Sequence, residues 1–499
     1  MFWEVIPELT RDPMDRFETP DKRWRRVKDW IIRQIDSGEW PARTKLPSIR
    51  TLARLFDTSI TTVQRALADL EANAYVLTEP RVGYFVSAAG RASPASRFDF
   101  SSVTVNVNHA VVAMLSQAAS RTTLSLSSAV LHGDLTPHVL LNKCMATLAS
   151  KADLAIAGLV TPPGHAALRR RIAGLMLTRG VVCGPDEVLV TSGDTVALEL
   201  ALEAVAQRGA TVAIETPTYY GILQTIERLG MRALPMRTHG ETGIDMEHLE
   251  EALKLEKVDV IFLNPTLQNP RGFIMPEAAR ARLSQLAREA DVPIIEDDIF
   301  FDLVPETERP RALKSYDSTG QTIYCSSFSK TVAPGFRVGW CVAGKYRDAI
   351  LAQMFSRNLA VSSLAQSALN EFIGRGYMDE HCARLRGQLA TVNEAMHGLV
   401  RSAFPAGTVY VPPRGGFIHW LELPAGTDMA LLQQLAHERG YHIAGSGIFF
   451  ADGQPTTGLR LCLGRPLSPE LAQGLKVLGE CARQALEPLA IELPTLEMP

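Results

Sequence analysis

Past residue 120, short apolar runs alternate with helical stretches. Val188-Leu189-Val190, Val212-Ala213-Ile214, Val260 to Leu263 and Pro293-Ile294-Ile295 are separated by stretches such as Ala197 to Gln207 and Pro276 to Glu289. Aliphatic runs with no polar alternation read as strands buried on both faces, and strands separated by helices predict a mostly parallel sheet with helices on both sides. In such a sheet a ligand sits at the carboxyl ends of the strands. Each of the four runs is followed at once by a polar group, which gathers distant segments into one candidate site.

The first run leads into Thr191-Ser192-Gly193-Asp194-Thr195, a turn opening a helix whose free backbone N–H groups would face an anion. The second leads to Tyr219, which could stack on a flat ring or equally be a packing tyrosine. The third leads to Asn269-Pro270, where the amide could bond a phenolic oxygen or simply make a turn. The fourth ends in Glu296-Asp297-Asp298. Three acids in a row are more often a solvated turn, but directly after a buried strand at least one should be engaged, and Asp297 is favoured.

Farther on, Ser326-Ser327-Phe328-Ser329-Lys330-Thr331 sets an amine among hydroxyls, with Arg337 seven residues beyond. The flanks, Thr322 to Cys325 and Val338 to Ala343, read as buried strands, so Lys330 is held rather than solvated. A held amine can condense with an aldehyde, while Ser327, Ser329 and Arg337 supply hydrogen bonds and charge to a phosphate dianion. Pyridoxal 5'-phosphate carries both groups. A carboxylate at Asp297 would keep its ring nitrogen protonated and so make the ring an electron sink.

Taken in order, Gly193, Tyr219, Asn269, Asp297, Lys330, Arg337 and Arg460 of Gly458-Leu459-Arg460-Leu461 resemble the class I/II aminotransferases of fold type I, over about residues 125 to 490. The resemblance implies phosphate binding by Gly193, Asp194, Thr195, Ser327 and Arg337. It implies Tyr219 as the stacking ring, Asn269 on the phenolic oxygen, Asp297 on the ring nitrogen, Lys330 as the Schiff-base lysine, and Arg460 as a fork for a substrate or effector carboxylate. Two positions depart from the pattern. Phe300 stands where these enzymes present a tyrosine hydroxyl, and Asp194 puts a carboxyl beside the expected phosphate. Both weigh against a fast transaminase.

The first ninety residues are a different module. Trp24, Val27, Ile31, Ile32 and Ile35 recur at helical spacing up to Ser37-Gly38. Ser48 can cap a second helix with Leu52, Ala53, Leu55 and Phe56 inward and Arg50 outward. A third helix, about Ile60 to Asn73, turns Val63, Ala66, Leu67 and Leu70 inward and Thr61, Thr62, Gln64 and Arg65 outward. Tyr75 to Thr78 and Gly83 to Val86 then alternate as a hairpin tipped by Arg81. Helix, tight turn, helix is a geometry for reading DNA. Leu46-Pro47-Ser48-x-Arg50-x-Leu52-Ala53, Thr62-Val63-x-x-Ala66-Leu67-x-x-Leu70-Glu71 and Gly83-Tyr84-Phe85-Val86 resemble the winged helix-turn-helix of the GntR regulators. By that resemblance Ser48, Arg50, Thr61, Thr62, Gln64, Arg65 and Arg81 would meet DNA. The module is locally basic, with twelve Lys and Arg against eight Asp and Glu over residues 20 to 90 of a chain whose net charge is −3. Ile60 and Asn73 depart from the family's usual arginine and glycine.

The expected domains are 22–87 for the DNA reader, 88–120 for a small-residue linker, and 121–499 for the body, with a large part over about 160–375 and a small C-terminal part over about 376–495. The fold class is α/β: a winged helix-turn-helix joined to a fold type I aminotransferase-like domain. No apolar run reaches the length of a membrane span, the first residues lack the marks of a secretory signal, and seven scattered cysteines form neither a disulfide framework nor a zinc site. A cytosolic homodimer is expected. The union of the two modules looks like the MocR subfamily of transcriptional regulators, which implies an amine or amino acid effector sensed as an external aldimine, with double-stranded DNA as partner. The alternatives are an aminotransferase with a vestigial DNA-binding domain and a direct sensor of pyridoxal phosphate.

Overall fold

A computed structural model describes residues 20–486 apart from 37–38, 42, 73–74, 80–81, 87–97, 119–123, 151–157, 358 and 455. The chain divides into two compact units, Met1–Asp99 and Phe100–Pro499.

The first unit is built as its periodicity predicts. Helices Pro20–Asp36, Ile49–Leu55 and Ile60–Ala72 bury Val27, Ile31, Leu52, Val63, Ala66, Leu67 and Leu70 against one another. The second helix is shorter than its apolar run because Phe56 already serves as its C-cap; of the four residues expected inward only Leu52 is fully buried, and Ala53, Leu55 and Phe56 are half-buried. Strands Val76–Glu79 and Gly83–Val86 pair antiparallel as the wing. Arg43 to Leu46 add a third rung, since Arg43 N donates to Val86 O at 2.8 Å and Leu46 N to Tyr84 O at 2.8 Å. Four residues, Arg43 to Leu46, just before Pro47 carry no strand period, so this rung has no signature in sequence.

The second unit is organised by an eight-stranded sheet in the order Val103–Thr104, Arg232–Met236, Thr211–Glu215, Val260–Leu263, Ile294–Asp297, Thr322–Ser327, Gly339–Val342, Val188–Thr191. Neighbours from Arg232–Met236 through Thr322–Ser327 run parallel. Gly339–Val342 runs antiparallel to both its neighbours, as does the edge strand Val103–Thr104 to its own. The antiparallel strand starts at the carboxyl edge, where Gly339 lies opposite both Ser327 and Thr191, and carries the chain back toward the amino edge. Helices Asp194–Val205, Tyr220–Leu229 and Glu277–Glu289 supply apolar faces to this sheet. A smaller sheet, Val409–Tyr410, Ile418–Glu422 and Gly458–Cys462, packs with helices Tyr377–Ala403, Met429–Glu438 and Pro469–Leu486 around a separate core. Among the described residues no helix is long and apolar enough to cross a membrane.

The expected linker over 88–120 is corrected in its second half. Val103–Thr104 join the main sheet, and helix Asn108–Ala118 buries Val111 and Met114 in its core. Ser101 to Asn108 look like a linker in sequence because only Val103, Val105 and Val107 carry the packing. The division into large and small parts is likewise not simply sequential: Leu124–Ser125 pair with Tyr441–His442, and Leu126 enters the small part's core.

The carboxyl edge has no slack at Gly339. A Cβ there would lie 2.6 Å from Gly193 C and 2.8 Å from both Asp194 N and Ser326 O, all backbone atoms. Gly339→Ala is predicted to cost about 1–3 kcal/mol of body stability, read as a lowered denaturation midpoint with the N-terminal unit's own unfolding unchanged.

Candidate functional site

At the carboxyl edge of the main sheet lies a cleft of about 400 Å³ lined by Asp194, Thr195, Tyr219, Asn269, Asp297, Ser327, Ser329, Lys330 and Arg337, together with Ile299 and Phe300. Nine of the residues proposed from sequence for cofactor binding therefore converge. Gly193 and Arg460 do not line it; each holds a residue that does.

The anion end is made by two turns facing each other. Gly193, at φ 89°, caps the helix Asp194–Val205 and leaves that helix's first N–H groups open to the cleft. Across from it, Ser327 Oγ accepts from Ser329 N at 3.2 Å, which fixes the turn into Lys330. Arg337 takes the left-handed conformation at φ 51°, unusual for a residue with a side chain, and its Nη1 donates to Ser329 Oγ at 3.2 Å. The guanidinium rests against Gly193, so a side chain at 193 would displace it.

The opposite end presents carboxyl and amide. Glu296, Asp297 and Asp298 have three separate fates. Glu296 accepts from Leu313 N at 2.7 Å and Lys314 N at 2.8 Å, and lies 3.7 Å from Arg280. Asp298 accepts from the Tyr324 hydroxyl at 3.0 Å, and that hydroxyl in turn accepts from Arg179 Nε at 2.9 Å. Only Asp297 reaches the cleft, with Oδ1 accepting from Ile299 N at 3.2 Å.

Asn269 is oriented from behind. Its Oδ1 accepts from Arg460 Nη1 at 3.1 Å, so its Nδ2 is the atom left to donate into the cleft. Arg460 is fully buried, donates also to Ser127 O, and lies 4.6 Å from the Phe449 ring and 5.4 Å from the Tyr220 ring. Its Nε is without a partner. Tyr219 precedes the helix Tyr220–Leu229 with its ring over Gly221, where any side chain would collide with it. Phe300, in place of a hydroxyl donor, is buried edge-on to Phe417 at 5.9 Å.

Lys330 Nζ donates to Ala129 O at 2.7 Å. Burial lowers its pKa, against the pull of Asp194 and Asp297, and so enlarges the share of neutral amine that can attack an aldehyde. Burial pushes the Asp297 carboxyl well up, and the nearby Asp194 pushes it further.

Four contributors were not singled out in the sequence. Asn264, fully buried, accepts from Asn269 N at 2.7 Å and donates to Asp297 O at 2.6 Å, tying the amide end to the acid end. Its place directly after the strand Val260–Leu263 was the available signal. Glu215, at the end of the neighbouring strand, accepts from Asn264 N at 3.0 Å. Ser127 and Ala129 act through backbone carbonyls, which any residue type provides.

In the N-terminal unit, Ser48 caps its helix by accepting from Thr51 N at 3.2 Å. Ser59 Oγ accepts from Thr62 N at 3.1 Å and bonds the Thr61 and Thr62 hydroxyls at 2.8 Å each. The polar face expected to meet DNA thus begins with Thr61 and Thr62 engaged in the cap. Arg50, Gln64 and Arg65 are exposed on their helices, Arg65 with its guanidinium 4.8 Å from the Trp24 ring. Arg81 lies outside the described residues.

Residues 121–473 match the aminotransferase class I and II family, and residues 24–86 match the gntR family of bacterial regulatory proteins. The chain is 33% identical, over 93% of its length and 100% of the relative's, to the uncharacterized HTH-type transcriptional regulator YjiR of Escherichia coli (strain K12). It is also 33% identical, over 65% of its length and 81% of the relative's, to the 2-aminoadipate transaminase of Thermus thermophilus. Among solved structures it resembles LysN, the alpha-aminoadipate aminotransferase of the same organism, complexed with N-(5'-phosphopyridoxyl)-L-leucine. That match has a TM-score of 0.69 and 29% identity, over 76% of this chain and 95% of that one. The aminotransferases of this family depend on pyridoxal phosphate, and the donor set here fits it: an amine, a basic anion cradle, an oriented amide and a carboxyl.

Glu215 yields a signed prediction. Burial raises its pKa to about 8, above an unfolded value of roughly 4.3. The folded state therefore binds the proton more tightly, and the stabilisation is complete at low pH and is lost as pH climbs from about 4 through about 8. Glu215→Gln, which keeps an acceptor for Asn264 N, is expected to leave stability at pH 5 nearly unchanged. At pH 8.5 it should raise stability by on the order of 1 kcal/mol or more, measured by denaturant unfolding of the cofactor-free protein.

Proposed function

We propose a sensing role for a chain that belongs to the class I and II aminotransferase family and, over residues 24–86, to the gntR family of bacterial regulatory proteins. It is a transcriptional regulator with an aminotransferase-like body. The finer reading is that an amine or amino acid displaces Lys330 from the aldehyde carbon of pyridoxal phosphate and thereby changes the affinity of the head for double-stranded DNA. The observation that carries it is the convergence of Lys330, Asp297, Asn269 and Arg337 on one cleft in a polypeptide that also holds a helix-turn-helix.

The cofactor, when bound, supplies an electrophilic carbon that exchanges one amine for another. This chain's residues do the rest. Ser327, Ser329, Arg337 and the N–H groups at the start of helix Asp194–Val205 hold the phosphate. Asp297 would meet the ring nitrogen, Asn269 Nδ2 the phenolic oxygen, and the Tyr219 ring the pyridine face. The buried Nε–H of Arg460, unpartnered beside Asn269, could take an effector carboxylate only if the cleft opens as far as the guanidinium.

The switch itself is a lysine with two positions. Lys330 Nζ bonds Ala129 O in the cofactor-free chain, and an amine taken up by the cofactor would have to give up that bond. Ala129 lies just beyond Leu124–Ser125 and Leu126, which tie into the small part through Tyr441–His442. Lysine release is thereby linked to the packing of the small part. The effector changes DNA affinity only as far as it binds the two arrangements with different free energy. Two such chains in a cytosolic homodimer would favour a repeated operator.

Two outcomes are expected. Lys330→Ala abolishes the Schiff-base absorbance and the effect of amines on DNA affinity while leaving the protein folded; an unchanged spectrum would move the chemistry to another lysine. Steady turnover of an amino acid without specific DNA binding would favour an aminotransferase with a vestigial head, and DNA binding that answers to pyridoxal phosphate alone would favour a direct cofactor sensor. In salt-dependent DNA shifts, Arg50→Ala should weaken binding to all sequences and reduce the salt slope by about 1, whereas Gln64→Ala should relax base preference. The reverse pattern would overturn the assignment of the two helices.

A further inference from the structure

A tryptophan in the N-terminal unit collects cations. Three positive groups lie close to the Trp24 ring: the Arg65 guanidinium 4.8 Å from its centre, Lys28 Nζ at 5.1 Å and the Arg25 guanidinium at 5.8 Å. Trp24, Arg25 and Lys28 belong to helix Pro20–Asp36 and Arg65 to helix Ile60–Ala72, so the ring gathers charge across the seam between two helices. It offers its face rather than its N–H, which is buried without a partner. Attraction to an aromatic face holds each cation near the ring but does nothing to relieve the repulsion among them. All three lie within roughly a Debye length of one another, ~10 Å at 0.1 M salt, so that repulsion is only partly screened. Asp69, 3.2 Å from Lys28, offsets some of it.

The first helix gains nothing from this arrangement. Its first nine residues, Pro20 to Lys28, carry five of its six Lys and Arg and one of its three Asp. Positive side chains at a helix start oppose the backbone dipole, which favours acids there. The charge therefore sits where the helix tolerates it least, at the end where Trp24 meets Arg65.

What that position serves is set by the third helix. Thr61, Arg65 and Asp69 follow one another at four-residue steps along one side of helix Ile60–Ala72, and Gln64, read above as a base contact, is the residue before Arg65. The cluster thus borders the face that a helix-turn-helix turns to a duplex.

We propose that Arg25, Lys28 and Arg65, assembled on Trp24, form a clamp for the phosphates of duplex DNA beside the bases that the third helix reads. Arg25 and Lys28 bring the first helix into the interface, and Arg65 serves the backbone rather than a base edge. Trp24 is a positioning residue. Contacts of this kind add affinity and fix the orientation of the head without reading sequence. The clamp presupposes that the head binds double-stranded DNA, and adds to that reading a second grip on the strand.

The test uses the full-length chain and two duplexes of about 30 base pairs, one A·T-rich and one G·C-rich, with binding followed by fluorescence anisotropy at 50 to 200 mM NaCl. Each phosphate contact removed should lower the slope of log affinity against log salt by about 0.9. Arg25→Gln, Lys28→Gln and Arg65→Gln should each lose one contact. The advantage of the parent over each variant should then shrink about threefold across that salt range, equally on both duplexes. Arg33→Gln removes the same charge from the last turn of the same helix and should keep the parent's slope. Trp24→Leu keeps every charge but loses the platform, and should lower the slope as the charge variants do. Trp24→Phe, which retains an aromatic face, should restore most of it. Unchanged slopes in Arg25→Gln and Lys28→Gln, or an equal fall in Arg33→Gln, would overturn the clamp. A loss confined to one duplex would overturn the assignment to phosphates. Should the parent bind neither duplex, it is the reading of the head as a DNA binder that fails.

Discussion

The cleft depends on the close passage of two backbones. Gly339 opens a strand that runs against its neighbours, and it approaches Gly193 and Asp194 too closely for any side chain. That single antiparallel strand, set between Thr322–Ser327 and Val188–Thr191, closes a circuit: strand, lysine turn, arginine turn, return strand, glycine turn. Without it Lys330 and Arg337 would leave the sheet edge on a loop, and the helix start at Asp194 would face nothing. The chemistry of the site is carried by side chains, but their distances are set by hydrogen bonds of the ladder, which do not vary with sequence.

Much of this was legible because buried strands and amphipathic helices write their periods plainly. The runs at 188–190, 212–214, 260–263 and 293–295 all fall within strands of the main sheet or at their start, and the polar residue after each lies at the edge the topology predicts. The helix-turn-helix was legible for the same reason. Arg232–Met236 was not, because Pro235 removes a ladder donor and hides the strand signal. The antiparallel course of Gly339–Val342 was not, because pairing direction leaves no trace in composition. Ser127 and Ala129 contribute only carbonyl oxygens, so no residue type could announce them.

The acid triplet shows where sequence reasoning stops. Glu296, Asp297 and Asp298 offer the same carboxyl chemistry in sequence, and the pleat and the turn that follows give each its separate partner. Successive residues of a strand point to opposite faces, so Glu296 turns to the loop at Leu313 and Lys314 while Asp297 turns to the cleft. Asp298, past the strand end, drops back to Tyr324. Choosing Asp297 required knowing where the strand stopped. Arg460 makes the complementary point: a motif located the residue, but its guanidinium proves to orient Asn269 as well as to keep one N–H in reserve.

Buried charge explains why such a body suits sensing. Glu215, Asp194, Asp297, Asp298 and Glu296 all have their pKa raised by burial, so folding favours the neutral form of each more than the unfolded chain does. A cationic ring nitrogen and a phosphate matched by Arg337 would supply the opposite charges around which this cluster is arranged. Under the proposed reading, occupancy would change the Lys330 bond to Ala129 and, along the few residues back to Leu124–Leu126, the footing of the small part. An enzyme needs its charges fixed in advance of the reaction, because electrostatic preorganisation is what lowers the barrier. A cluster of carboxyls that burial biases toward the neutral form would give up some of that preorganisation, and what it would gain on loading is a free-energy difference between occupied and unoccupied forms, the quantity a regulator has to transmit.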